Sequence, residues 1–469
     1  MRFVNRASEL ARLDALVERG QQGLVALWGR RRVGKTRLLL EWSRRHDGLY
    51  SVADLSSAPV QRAYLADALS LRFPGFGEAA YPDWRSLLRA LSREATRAGW
   101  RGPLVLDELP YLVETSPSLP GVLQGWLDHE AKDARLLVAV SGSTQHMMQG
   151  LTLGADLFLF GRTVSAMPIE PMTPHALGKA LGLDDALGAV RAFAAWGGIP
   201  RYWELAEPFG ADLPEALDEL VLDPLGPLHL EPDRLLAEER PSAVPLRPLL
   251  DVIGAGAHRV SEIAGRIVQP ATSLGRSLAR LAELGLVSRE LPFGEPERGG
   301  KRSLYRIADP FFRFWFRIVA PHRALLAVAQ REARRRLVRE HLPRLLSETW
   351  EDLCRRAVPR LGSAAAKGGT GWGPARRYWH GSSPEWDVVA RSEGGRRLLL
   401  GEVRWHDQPV GGEALERIHR ELIARGRPPV GSGSEEVVRA VFVPRTKEKP
   451  GARLPFLVFD ADAVVEAIG

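Results

Sequence analysis

The sequence holds a single cysteine, Cys354, among 469 residues. One thiol excludes an internal disulfide framework and any all-cysteine metal site, and it fits a reducing cytoplasm. Long apolar runs are absent as well. Residues 24–28 (LVALW) and 136–140 (LLVAV) fall far short of the ~20 residues that cross a bilayer, so no membrane span is expected and each run suits a buried strand. The start, MRFVNRASEL, has no apolar stretch followed by a small-residue cleavage site, so no secretory signal is expected. There is no internal repeat and no low-complexity tract beyond short loops.

What remains is an ordinary globular composition, with 45% hydrophobic and 26% charged residues. A mass of 51.8 kDa exceeds what one core usually serves, so a first domain followed by smaller ones is expected. The formal net charge is +7, and the basic side chains are mostly arginine, the type suited to planar phosphate recognition. That permits nucleic-acid binding. A high arginine share also follows from genome composition, so composition leaves the DNA question open.

Short apolar strands alternate with amphipathic helices up to about residue 173, which reads as an α/β domain with a mostly parallel sheet. Strands are expected at residues 24–28, 49–52, 103–107, 136–141 and 163–167, with a long helical excursion between the second and third. Residues 174–238 become helical, with GGIPRYW (197–203) turning between two helices, as in a small helical lid. Residues 239–310 give three helices and then two strand-like stretches flanking the basic, glycine-rich tip GEPERGGKR, the order of a winged helix. A helical linker is expected at 311–345, starting in DPFFRFWF. Residues 346–469 suggest a second α/β domain, with strand-like WDVVAR, RRLLLGEVRW and VVRAVFVP and a helix near 412–425.

The strongest chemical signal is LVALW, then GRRRVGKT, then a helix, the context that a P-loop requires. Gly29 and Gly34 let the backbone curl around phosphates, and the amides of Arg30, Arg31, Arg32, Val33 and Arg37 surround them at a helix start. Lys35 is expected to reach the β- and γ-phosphates of ATP, and the Thr36 hydroxyl to bind Mg2+. LVLDELPYL then delivers two carboxylates to the C-terminal edge of the sheet, where open α/β sheets bind ligands. Asp107 is the expected Mg2+ partner and Glu108 the base that positions the attacking water. At the end of the fourth strand, Ser141 and Ser143 are candidates to sense the γ-phosphate, or ordinary turn residues. Arg162 is either a phosphate sensor, within its subunit or across an interface, or a surface ion pair. Phe3 and Arg6 either cover the adenine or mark a helix entry.

FVNRASEL, GRRRVGKT, LVLDELPYL, VSGST, FGRT, GGIPRYW and DPFFRFWF, in that order, resemble the archaeal-type AAA+ ATPases related to the STAND signalling NTPases. The resemblance covers nearly the whole chain. It implies a P-loop NTPase sheet with a helical lid, a winged helix and a C-terminal restriction-endonuclease-like α/β domain. In the third helix of the winged helix, Leu274, Leu278 and Leu281 keep core spacing, while Thr272, Ser273, Arg276 and Arg280 are left to meet DNA. Arg298, Lys301 and Arg302 on the wing are candidates for phosphate contacts. The other reading makes this module an internal clamp on the nucleotide domain.

The C-terminal hairpin places Asp387 and Glu402 on neighbouring strands, with Arg404 on the same strand face as Glu402. This resembles the PD-(D/E)xK nuclease core, in which the two carboxylates hold Mg2+ and a lysine stabilises charge on the phosphate. Glu351 matches an acidic residue often found on the preceding helix. Arg404 stands where active nucleases usually carry lysine, so three roles are open: a fold kept for DNA binding or scaffolding, a Mg2+-dependent nuclease, or strand packing. The reading as a whole is a cytoplasmic, ATP-hydrolysing switch that acts on DNA and has no membrane partner. Its rival is a slow signalling or scaffold ATPase with a protein partner, and self-association is open in both.

Overall fold

A computed structural model describes residues 5–143, 147–148, 150, 159, 161–239, 245–297, 302–365, 371–381, 384–431, 433–448 and 454–469. They form two compact units, Phe3–Pro171 and Met172–Gly469.

The first unit opens with helix α1 (Ala7–Glu18), strand β1 (Gly23–Trp28) and helix α2 (Lys35–Arg45). Strand β2 (Leu49–Val52), helices α3 (Ala58–Ser70) and α4 (Trp84–Ala98), and strand β3 (Pro103–Asp107) follow. Helices α5 (Leu109–Thr115) and α6 (Leu119–Asp128) and strands β4 (Leu137–Gly142) and β5 (Thr163–Pro168) complete it. The five strands form one parallel sheet in the order β2-β3-β4-β1-β5. Every residue of β3 and β4 is buried, because crossover helices cover both faces, and such strands read as continuous apolar runs. Helix α2 buries Leu38, Leu39 and Trp42. Helix α4 is held at its start by a capping box between Asp83 and Ser86 and buries Leu87, Leu88 and Leu91.

The second unit begins with helices α7 (Pro174–Leu181), α8 (Ala186–Trp196), α9 (Pro200–Ala206), α10 (Leu213–Leu217) and α11 (Glu231–Glu239). Helices α12 (Arg247–Gly254), α13 (Val260–Ile267) and α14 (Gly275–Glu283) follow, then the antiparallel pair β6 (Val287–Glu290) and β7 (Leu304–Ile307). Next come α15 (Pro310–Phe314), α16 (Ala320–Leu326) and the long α17 (Arg331–Ala365). The chain closes with β8 (Arg376–Tyr378), β9 (Trp386–Arg391), β10 (Arg397–Val403), α18 (Gly412–Arg425), β11 (Glu436–Phe442), β12 (Leu457–Phe459) and α19 (Ala461–Ala467). These strands form a mixed sheet, β12-β11-β10-β9-β8, antiparallel across β8, β9 and β10 and parallel from β10 to β12.

Within residues 311–345, expected as a linker, the aromatic start is core. Phe311, Phe312, Phe314, Trp315 and Phe316 are fully buried. The motifs GGIPRYW and DPFFRFWF meet here: the Tyr202 and Phe311 rings lie 4.4 Å apart. Gly197 has φ +62, and a Cβ there would stand 3.2 Å from Pro310 and 3.3 Å from the Asp309 carboxylate. Helix α17 runs without a break across the boundary expected at 345/346 and carries Trp350, Leu353 and Val358 into the same core as Val388, Leu399 and Phe442 of the sheet.

The β6–β7 hairpin is also docked. Phe293 packs against the cluster of Tyr378, Trp386, Val389, Leu398, Leu400 and Leu422, and its amide donates to the Arg377 carbonyl at 2.7 Å. Glu297 pairs with Arg376 at 3.0 Å. Phe293→Ala is expected to cost about 1–2 kcal/mol, as for a half-buried aromatic. Unchanged stability in a denaturant titration would show that the hairpin's docking carries no weight.

Candidate nucleotide site

Residues 29–34 leave the C-terminal edge of β1 and turn into α2. A Cβ on Gly29 would sit 2.3 Å from the Ile169 carbonyl oxygen, so the tight turn beside β5 admits only glycine. Arg32 (φ 66) and Gly34 (φ 97) both adopt the left-handed region, which curls the loop into a concave shape of the kind that binds anions through its amides. Lys35 is buried, and its Nζ donates to the carbonyls of Gly29 at 2.8 Å and Arg30 at 3.3 Å. Arg30 is buried too, and Arg31 donates to the Tyr111 hydroxyl at 2.6 Å. Arg37 is exposed on the first turn of α2.

Asp107 ends β3 fully buried. Its Oδ2 accepts from the Thr36 hydroxyl at 2.7 Å and from the Tyr50 hydroxyl at 2.7 Å. Its Oδ1 accepts from the Glu108 amide at 3.0 Å and from the Ser141 hydroxyl. Burial, and then the Asp107 charge, push the Tyr50 hydroxyl far above the usual phenol range, so it remains a donor. The Thr36 proton is directed to Asp107, which leaves the lone pairs of that hydroxyl oxygen for a cation.

Glu108 adopts the left-handed region (φ 55) at the start of α5. Its Oε2 accepts from both the amide and the hydroxyl of Ser143, at 3.2 and 3.1 Å. Lys35, Thr36, Asp107, Glu108, Ser141 and Ser143 therefore converge on one sheet edge. Tyr50 joins them unforeseen, since no motif marks it and only the pairing of β2 with β3 brings it there.

Arg6 and Arg162 lie elsewhere. The buried Arg6 guanidinium donates to the carbonyls of Val33 at 2.9 Å and Glu170 at 2.7 Å, bracing the loop from its protein side. Arg162 precedes β5, and its carbonyl accepts from the Leu24 amide at 3.0 Å, at the start of β1. The strands are parallel, so Arg162 sits at the opposite sheet edge, about 17 Å of strand away from the P-loop. Its guanidinium binds Asp128 with two 2.7 Å bonds. The structure thus takes Arg162 away from the phosphates of its own subunit. Phe3, Arg298 and Lys301 lie outside the described residues.

In the second unit, Thr272, Ser273 and Arg276 are exposed at and near the start of α14, and Arg280 pairs with Glu283 at 3.2 Å. Arg302, expected to face phosphate, pairs with Glu295 instead. Asp387 and Glu402 do stand on neighbouring strands, β9 and β10. The Glu402 oxygens meet Arg404 at 2.7 Å and Arg425 at 2.6 Å. Burial, and then the Glu402 charge, raise the Asp387 carboxyl above its usual range; Glu351 on α17 is raised by burial and then by Asp387. Arg425, on the last turn of α18, was not foreseen. Among the described residues, no group of three or more His, Cys, Asp or Glu side chains is arranged to hold a metal ion.

Residues 3–177 match the model of an ATPase domain found predominantly in Archaea, and residues 315–420 match a family described as archaeal and bacterial proteins of unknown function. An uncharacterized protein of Methanocaldococcus jannaschii is 24% identical over 428 residues, covering 91% of this chain and 92% of its own length. The Walker-type ATPase of Pyrococcus abyssi is similar at TM-score 0.53 and 19% identity, over 67% of this chain and 96% of that one, which shows a shared fold. The Aeropyrum pernix ORC2 protein aligns at TM-score 0.46 and 15% identity, over 70% and 97% of the two chains, too slight a likeness to argue from. Residues 3–177 thus carry an ATPase domain of the kind found predominantly in Archaea, and the chain is a P-loop ATPase.

Gly29→Ala is expected to cost about 1–3 kcal/mol, because the methyl group must displace the backbone of residue 169. Denaturation together with nucleotide titration tests this, and a variant with native stability and affinity would refute the packing argument.

Proposed function

We propose that this chain is an ATP-hydrolysing switch whose nucleotide state governs a DNA-binding module in its second unit. The observation that carries the ATPase chemistry is the joint hold of Asp107 on Thr36 and of Ser143 on Glu108 at one sheet edge. In this reading the amides of residues 29–36 hold the β-phosphate, and Lys35 leaves its carbonyls for the β- and γ-oxygens. Mg2+, held through Thr36 and Asp107, would neutralise the charge building on the phosphates. Glu108 accepts the proton of the attacking water while Ser143 keeps that carboxylate aimed. Arg37 and the loop arginines add positive potential at the entrance.

The module of α12, α13, α14 and the β6–β7 hairpin is read as a winged helix. Its exposed Thr272, Ser273 and Arg276 support DNA reading by α14, while the docking of the hairpin on the C-terminal sheet argues against the wing as a phosphate contact. That sheet, with its αβββαβ order, is read as nuclease-like. The rival reading, a slow scaffold ATPase that recognises a protein, rests on the same docked hairpin.

Lys35→Ala is expected to abolish nucleotide binding, and undiminished binding would remove the loop from its role. Glu108→Gln should bind ATP normally and lose roughly 10²–10⁴-fold in turnover; retained turnover excludes Glu108 as the base. Duplex DNA should raise the ATPase rate, and Arg276→Ala should weaken binding and reduce the salt slope by about one. If DNA neither binds in a salt-dependent way nor alters turnover, the protein-partner reading prevails.

A further inference from the structure

The nuclease-like sheet carries three carboxylates where a cleaving enzyme would hold divalent metal: Glu351 on α17, Asp387 on β9 and Glu402 on β10. Three guanidinium groups are set among them. Arg404 lies 2.7 Å from Glu402 Oε1 and Arg425 lies 2.6 Å from Oε2, so each oxygen of this almost fully buried carboxylate faces its own cation. Arg355 is 3.5 Å from Glu351 Oε2 and donates to the Asp387 carbonyl at 3.1 Å. Asp387 Oδ2 accepts from the Val403 amide at 3.0 Å. Arg355 also pairs with Asp352 at 2.5 Å and Arg404 approaches Glu421 at 3.5 Å, so each guanidinium of the cluster is already engaged by carboxylates. A Mg2+ ion would need the Glu402 oxygens at ~2.1 Å, against the two guanidinium groups already bound to them. The residues present do not fit the metal.

We infer that Arg425 and Arg404 close this site as an ion-pair clamp on Glu402, leaving the C-terminal domain a metal-free, non-cleaving body. Arg425 is its principal positioning residue: it reaches Glu402 from the last turn of α18 and also donates to the Glu385 carbonyl at 2.7 Å. Removing one partner from a buried ion pair leaves an uncompensated charge, so the clamp also contributes to folding. The inference rests on the nuclease-like reading of this sheet and is independent of the ATPase and DNA readings.

The test is a Mn2+ titration of the full chain without nucleotide, followed by electron paramagnetic resonance, with melting curves recorded in chelator. Wild type and Asp387→Asn should bind Mn2+ identically. Replacing both arginines by alanine should create a site at least tenfold tighter than the wild-type background, lost again when Asp387→Asn is added. Arg425→Gln, which keeps most of the side-chain volume, takes the place of the double variant should that unfold. Glu402→Gln should lower Tm, because it breaks two ion pairs; a vacant metal site would instead gain stability when one of three repelling carboxylates is neutralised. Wild-type Mn2+ binding that Asp387→Asn removes would overturn the clamp and leave the nuclease-like reading intact. No gain of binding in folded arginine variants would overturn both. A rise in Tm for Glu402→Gln would overturn the clamp.

Discussion

The buried Asp107 carboxylate is the point on which the nucleotide domain depends. A full charge without solvent persists only if its oxygens are satisfied. Here the donors come from four places: Thr36 on α2, Tyr50 on β2, Ser141 on β4 and the amide that leads into α5. Because the sheet is parallel, the C-terminal ends of β2, β3 and β4 are brought to one level, and a single acidic group ties them to the P-loop helix. Glu108, one residue later, gives its amide to this network from a left-handed backbone, while its carboxylate is held by Ser143.

The second unit is organised differently. Helices 174–239, the three-helix module, the aromatic segment and the C-terminal sheet share one core. The two motifs that most mark the resemblance outside the nucleotide site, GGIPRYW and DPFFRFWF, are packing elements. Trp203 donates to the Gly197 carbonyl at 2.9 Å, and Trp315 donates to the His229 carbonyl at 2.8 Å. Their aromatic and glycine content serves close contact rather than chemistry.

Much of this was legible in the sequence. The central strands β1, β3 and β4 stood out because burial on both faces leaves continuous apolar runs, and LVLDELPYL marked its own strand end. The three helices and hairpin of residues 247–307 were readable from core spacing and a glycine-rich tip. The three-residue strands β8 and β12 were not, being too short to show any period. Residues 311–316 carried a visible signal, a density of aromatics suited to a core, yet their place after a hairpin suggested a linker. Tyr50, Arg162 and Arg425 needed strand order and crossover geometry: which strands are neighbours, which end of a strand a residue occupies, and where the helix between β10 and β11 ends.

Helix α17 spans 35 residues, roughly 50 Å, with Pro343 and Pro359 inside it. Arg334 at its start pairs with the buried Asp218 at 2.7 Å, while Trp350 and Leu353 belong to the core shared with the C-terminal sheet. Neither half of the second unit is complete without this rod. A fragment begun at residue 346 would carry a sheet lacking part of its supporting wall, and one ended there would leave the helices before it with an open seam. In modular terms, residues 172–469 are a single inheritable piece: recombination could exchange the nucleotide domain for another, but could not shuffle the C-terminal sheet alone.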